Sequence, residues 1–338
     1  MKKTFAIAST TLLFLGVFPL RSLGIVSRSP SYPPVANQLH ITQVQKSAED
    51  YIEQGNTKFD RGDKQGAIAD YNQAINLNPK IAEAHNNRGL ANFDIGNKQA
   101  AMIDYDRAIF LNPKYANAYN NRGVAKSSIG NKQAAIDDYD RAIVLNPEDA
   151  CAYNNRGIAK SNLGNKQDAI TDYERAISLS PKFAEAYNNR GIAKSDLGNK
   201  PSAITDYDRA IALNPTYADA YHNRGNARFT LGNKQAAIID YDRVIALNPK
   251  YADAYVNRGI AKSQLGNKQD AIVDYDRAID LNPKLARAYG NRGNAKFALG
   301  DKQNAIADVS KAAKLFRQQG QMYSYQKAMS FLKNFQGN

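Results

Sequence analysis

Glycine recurs at Gly55, Gly89, Gly123, Gly157, Gly191, Gly225, Gly259 and Gly293, always 34 residues apart. A strict period of this length admits few folds. One unit is too short to bury its own core, so neighbours must stack and share one. Eight units follow, opening at Ala48, Ala82, Ala116, Ala150, Ala184, Ala218, Ala252 and Ala286 and together covering residues 48–319. The length of 338 residues alone would suggest two or three domains; the repeat overrules that division.

Each unit reads as two helices. In the fourth, a first helix spans about Ala150 to Leu163 and stops at Gly164, a residue free to take a left-handed conformation. Asn165 is then expected to cap the second helix by accepting a bond from an unpaired backbone N–H. Pro181 ends that helix, and Pro201 falls in a first turn, where its missing N–H costs little. Ala169, Ile170, Tyr173, Ala176 and Ile177 form an apolar stripe at helical spacing, and Gly157, Ala169 and Ala176 are small where helices must approach closely.

The Tyr, Gly, Ala, Tyr, Ala and Pro of each unit stand in the places of the tetratricopeptide repeat signature, so residues 48–319 resemble that family. The resemblance implies an all-α, right-handed α-solenoid of eight helix-turn-helix repeats, with the first helices lining a concave side. The sequence departs from the pattern at His85 and Val244, and in unit eight at Val309 and Arg317. The last second helix is therefore expected to run on past Lys314. Met322, Tyr325, Met329 and Leu332 then mark residues 320–338 as a helix capping the stack.

A turn of about 100° per residue puts Tyr153, Arg156, Gly157 and Lys160 on the arc facing the second helix. Asn155 and Ile158 fall on the opposite side. Arg88, Arg122, Arg156, Arg190, Arg224, Arg258 and Arg292 thus meet the aspartates beside the apolar stripe, Asp70, Asp104, Asp138, Asp172, Asp206, Asp240, Asp274 and Asp308. Half-buried opposite charges should pair, within a unit as Arg156 with Asp172, or with the neighbour's arginine. Gln54 replaces the arginine in unit one as a neutral donor.

Asn87, Asn121, Asn155, Asn189, Asn223, Asn257 and Asn291 occupy one place on the other arc. Asparagine is a mediocre helix former, so its recurrence in mid-helix needs a reason. Repeat duplication on a solvated face is one. Another is that each amide offers a donor and an acceptor, suiting an extended peptide backbone. The line resembles the asparagine ladder of the superhelical repeats of O-linked N-acetylglucosamine transferases, which implies clamping of a peptide main chain. Leu90, Val124, Ile158 and Ile192 add an apolar strip, with Phe59, Phe93, Phe229 and Phe297 flanking it. Glu49, Glu83, Glu185, Asp219 and Asp253 place negative charge at the edge of a chain whose net charge is +13. The lysines gather in the "GNKQ" turns and "NPK" corners as a solvated rim. A clamp for a C-terminal carboxylate is not expected, because its places hold Asn, acids and apolar residues, with Arg287 the main exception.

The chain starts "MKKTFAIASTTLLFLGVFPLRSLG": a basic head, an apolar run, then small residues at Ser22 and Gly24. Residues 1–24 read as a secretory signal, with an uncleaved anchor as the rival. No cysteine follows, which excludes a lipoprotein. Residues 25–47 carry three prolines and read as a linker. The lone Cys151 rules out an intrachain disulfide framework. His40, His85 and His222 are scattered, and no phosphate-binding glycine loop occurs, so neither an enzyme nor a cofactor is expected. Net charge alone would suggest nucleic acid, and an export signal argues against it. The expected function is a scaffold holding a protein or peptide in the concave groove, assisting assembly of envelope or exported proteins. The alternative is a structural spacer that self-associates or meets anionic surfaces through its lysine rim.

Overall fold

The structure is a computed structural model that describes residues 46–336. The expected signal or anchor at 1–24, and the linker apart from Lys46 and Ser47, lie outside the described residues. All regular structure among the described residues is helical. The helix pairs are α1 (Ala48–Asp60) with α2 (Lys64–Leu77), α3 (Ala82–Asp94) with α4 (Lys98–Leu111), α5 (Ala116–Ser128) with α6 (Lys132–Leu145), and α7 (Ala150–Asn162) with α8 (Lys166–Leu179). They continue as α9 (Ala184–Asp196) with α10 (Lys200–Leu213), α11 (Ala218–Thr230) with α12 (Lys234–Leu247), α13 (Ala252–Gln264) with α14 (Lys268–Leu281), and α15 (Ala286–Ala298) with α16 (Lys302–Gln318). A last helix, α17 (Met322–Gln336), packs on α16.

Each helix touches its hairpin partner and the first helix of the next unit. Consecutive first helices also touch one another along the whole array, α1 with α3 through α13 with α15, whereas consecutive second helices are not joined in this way. In a curved stack the crowded row is the inner one, so the first helices line the concave side.

The core is a series of small shared clusters. Tyr173 lies on Gly157, where a methyl group would stand 2.6 Å from the ring, so only glycine admits this approach. Ala169, Ile170 and Tyr173 of α8 also enclose Ala193 of the next unit, which joins unit to unit. At the far end α16 is longer than the other second helices, as Arg317 in place of proline implies. It buries Val309 and Ala313 against Ala328 of α17, with Phe316, Tyr325, Phe331 and Leu332 around them.

One local expectation fails. Asn165 accepts no side-chain bond at the start of α8, nor do Asn97, Asn131, Asn233 or Asn267 at theirs. The turn itself is closed by backbone bonds: Gly164, at φ 97°, donates to Ser161, Asn165 N–H donates to Lys160, and Lys166 N–H donates to Gly164. Side-chain caps do form at Asp63, Asn199 and Asp301.

Candidate interaction groove

The arginines fall where the helical wheel puts them, and they do more than expected. Arg156 meets Asp172 of its own unit at 2.5 Å and Asp140 of the preceding unit at 2.6 Å. The pairing within the unit is therefore the one realised, and the contact between units is made by an aspartate that the sequence reading had not singled out. The same double contact recurs at Arg122, Arg224, Arg258 and Arg292. Arg190 pairs with Asp206, while Glu174 stands in the place of the second aspartate, as Asn72 does beneath Arg88. Asp172 in turn holds Lys160 at 2.8 Å, a contact repeated by Lys126, Lys194, Lys262 and Lys296 with their own aspartates. Burial opposes ionisation of Asp308, yet the bonds from Arg292 and Lys296 hold its carboxyl below the usual range. Unit one differs from expectation: Asp70 pairs with Lys58 at 2.7 Å, and Gln54 accepts from Lys46 instead. The lattice leaves these first-helix cations little freedom to serve a ligand.

The seven ladder asparagines are all half-buried on the inner row. Most of them spend an amide proton inside the protein. Nδ2 of Asn121, Asn155, Asn189 and Asn223 donates to Oδ1 of Asn86, Asn120, Asn154 and Asn188 in the preceding unit, at 3.0–3.1 Å. Asn87 donates to Asn56 at 3.0 Å. Asn257 donates to both His222 Nε2 and Asn226 Oδ1 at 3.0 Å. At Asn291 the corresponding place in the preceding unit is Val256, which offers no acceptor. The rungs thus fix the amides: at Asn121, Asn155, Asn189 and Asn223 the nitrogen faces the neighbouring unit and no described donor reaches Oδ1. The first asparagine of each "NN" pair is the residue that reading the sequence missed. Its signal was present, since the pair repeats intact through units two to five.

The apolar strip is less open than expected. Leu90, Val124, Ile158 and Ile192 are half-buried, and the last three pack on the shared clusters of their units. Phe59 and Phe93 likewise pack on core clusters. His85 keeps the tyrosine's role: its Nε2 lies 3.1 Å from the Pro79 carbonyl, as Tyr119 bonds Pro113 one unit on. His222 lies within the rungs, with Nδ1 2.7 Å from the Tyr251 hydroxyl, and burial lowers its pKa. Cys151 is half-buried, and burial, then Asp149 and Glu185, push its thiol up to about 11, which suppresses the thiolate. Among the described residues no three His, Cys, Asp or Glu side chains converge to hold a metal. Among them too, no helix is long and apolar enough to cross a membrane.

A stack of eight helix hairpins with an inner row of ordered polar groups defines a repeat solenoid of the interaction-scaffold class. The chain belongs to the tetratricopeptide repeat family. Profiles described as tetratricopeptide repeat match residues 82–115, 116–149, 150–183, 218–251, 252–285 and 286–319, and one described as TPR repeat matches 55–96 and 195–232. No curated protein matches the chain significantly. Among solved structures, a tetratricopeptide repeat protein from Parabacteroides merdae ATCC 43184 is 24% identical, with 73% of this chain and 98% of that one covered and a TM-score of 0.56. Cut9–Hcn1, an APC/C hetero-tetramer, gives a TM-score of 0.61 at 17% identity, covering 85% and 57%. MamA is 32% identical over 49% of this chain and 96% of its own, with a TM-score of 0.46. The first two likenesses extend to the fold, which is in general a non-catalytic scaffold for protein interaction.

Proposed function

We propose that the concave row of first helices holds an extended segment of a partner protein, and that the ladder asparagines grip its backbone. The observation that carries this reading is the fixed orientation of the amides. Asn121, Asn155, Asn189 and Asn223 are each locked through Nδ2 to the unit before, which leaves a row of oxygens, one per repeat, able to accept backbone N–H bonds without reorganising. The apolar strip beneath contributes contact at its half-buried edge. We further propose that residues 1–24 direct export and that the partner is an envelope or exported protein whose assembly the scaffold assists.

Simple alanine replacement of a ladder asparagine would leave its acceptor in the preceding unit, buried at Asn154 and half-buried at Asn120, without its donor. Removing both members of two rungs avoids that. The variant Asn120→Ala/Asn155→Ala/Asn154→Ala/Asn189→Ala is expected to stay folded and to lose about 1–3 kcal/mol of affinity for partners captured from the native envelope, from two ladder amides. Capture of the same partners with unchanged affinity would reduce the ladder to a solvated face. N-terminal sequencing of the mature chain is expected to begin near Ile25; an intact Met1 on a membrane-bound protein would establish the anchor instead.

Self-association is favoured by a separate observation: Ile103, Phe110, Val144, Ile239 and Val273 are exposed on the second helices, away from the inner row. A spacer built on them would elute earlier as concentration rises.

A further inference from the structure

Arg287 stands at the second position of α15, where Glu185, Asp219 and Asp253 stand in units five to seven. Its guanidinium turns back by one unit. Nη2 lies 2.7 Å from Asp253 Oδ1 and 3.3 Å from Asn257 Oδ1. These two acceptors are one turn apart on α13, so they face the same side. Asn257 presents its oxygen because its nitrogen is committed to His222 and Asn226. The protein therefore contains a guanidinium already seated on an acid and a ladder amide.

The same pair recurs in the two preceding units, as Glu185 with Asn189 on α9 and Asp219 with Asn223 on α11. Both amides are turned alike, with Nδ2 committed to Asn154 and Asn188 at 3.0 Å. The residues that correspond to Arg287 over these pairs are Asp219 and Asp253, so no described cation of the chain reaches Glu185 or Asp219. The first-helix arginines are unavailable, being tied to second-helix aspartates. Burial and then Asp219 and Asp253 push the Tyr251 phenol up to about 12, and burial and then Glu185 raise that of Tyr217, as carboxylates that keep their charge would do. Carboxylate and amide oxygen one turn apart suit a cationic side chain, as Arg287 shows on Asp253 and Asn257.

We propose that Glu185 with Asn189, and Asp219 with Asn223, seat Arg or Lys side chains of the extended partner segment, one per repeat. The groove of this strongly basic chain thus selects a basic partner. The inference rests on the reading of the concave row as a peptide groove and adds the chemistry of what enters it.

A library of random peptides displayed on phage, panned on the wild type and on the rung variant described above, separates the two claims. Selected peptides that depend on the rungs should be enriched in Arg and Lys. A synthetic peptide from that pool should bind E185Q/D219N roughly tenfold or more weakly than wild type. Both carboxylates lack an ion pair among the described residues, so this variant should melt with the wild type. R287A, which opens the third seat at Asp253 and Asn257, should bind the same peptide at least as tightly. Rung-dependent peptides with no excess of Arg or Lys, or with equal affinity for E185Q/D219N, would overturn the cation seats and leave the groove standing. If no selected peptide depends on the rungs, both claims fall.

Discussion

Arg156 shows how much one side chain holds in place. Its guanidinium is 18% exposed, bridges Asp172 and Asp140, and stacks on the Tyr153 ring at 5.4 Å. Asp172 is 4% exposed and also carries Lys160. Truncating Asp172 leaves Lys160 unpaired and Arg156 with Asp140 alone in a partly dry seam, whereas removing Arg156 as well takes one cation out of the seam and frees only Asp140, which is exposed. Asp172→Ala should therefore cost about 3 kcal/mol, and Asp172→Ala/Arg156→Leu less than the sum of the single changes by about 1 kcal/mol or more. Chemical denaturation of the four members of this cycle measures the coupling, and a coupling of zero would show that the pair is merely adjacent. Because Arg122, Arg156, Arg224, Arg258 and Arg292 each span two units, they also tie successive hairpins together. That role needs the planar fork of arginine, and lysine could not reproduce it.

At the scale of the helix pair, the glycine period has a direct physical cause. The ring of Tyr173 fills the space a side chain at position 157 would need, and the ring is 2% exposed. Gly157→Ala should raise intrinsic helix propensity, yet the clash should win, with a net loss of about 1–3 kcal/mol in a denaturation experiment. An unchanged or higher stability would mean that the hairpin opens easily, contrary to a packed seam. The helix pairs, their turns and their core stripe were legible in the sequence, because apolar spacing, Gly at the turn and Pro after the second helix each act locally. The capping of the second helices was not. Asn after Gly is a common cap, yet the same turn is capped at Asp63, Asn199 and Asp301 and left uncapped at Asn165, so the residue type alone did not decide it.

For the whole molecule, nearest-neighbour contacts predict tolerance to loss of a complete unit. Deletion of residues 150–183 would bring Arg190 over Asp140 in place of Glu174, and Asn189 over Asn120 in place of Asn154. Both substitutions keep the lattice chemistry, and the first supplies an aspartate like those bound by the other arginines. The shortened chain should keep its helicity per residue and a cooperative melt, with somewhat lower stability; circular dichroism checks both. A non-cooperative melt would show that unit four holds something its neighbours do not.

The sequence by itself determined the period, the helix pairs, the identity of the core and the existence of an arginine–aspartate pairing, since all of these follow from spacing along one unit. Only the tertiary structure decided which unit each polar group answers to. That Arg156 reached Asp140 as well as Asp172, and that Asn189 gave its proton to Asn154 and not to solvent, depends on how closely successive units approach. That distance is set by curvature of the stack, a property of the array that no single unit encodes. The same crowding on the inner row turned a line of asparagines into a set of rungs and half-buried the apolar strip between them. It also brought Arg287 back onto Asp253, 34 residues earlier in the chain.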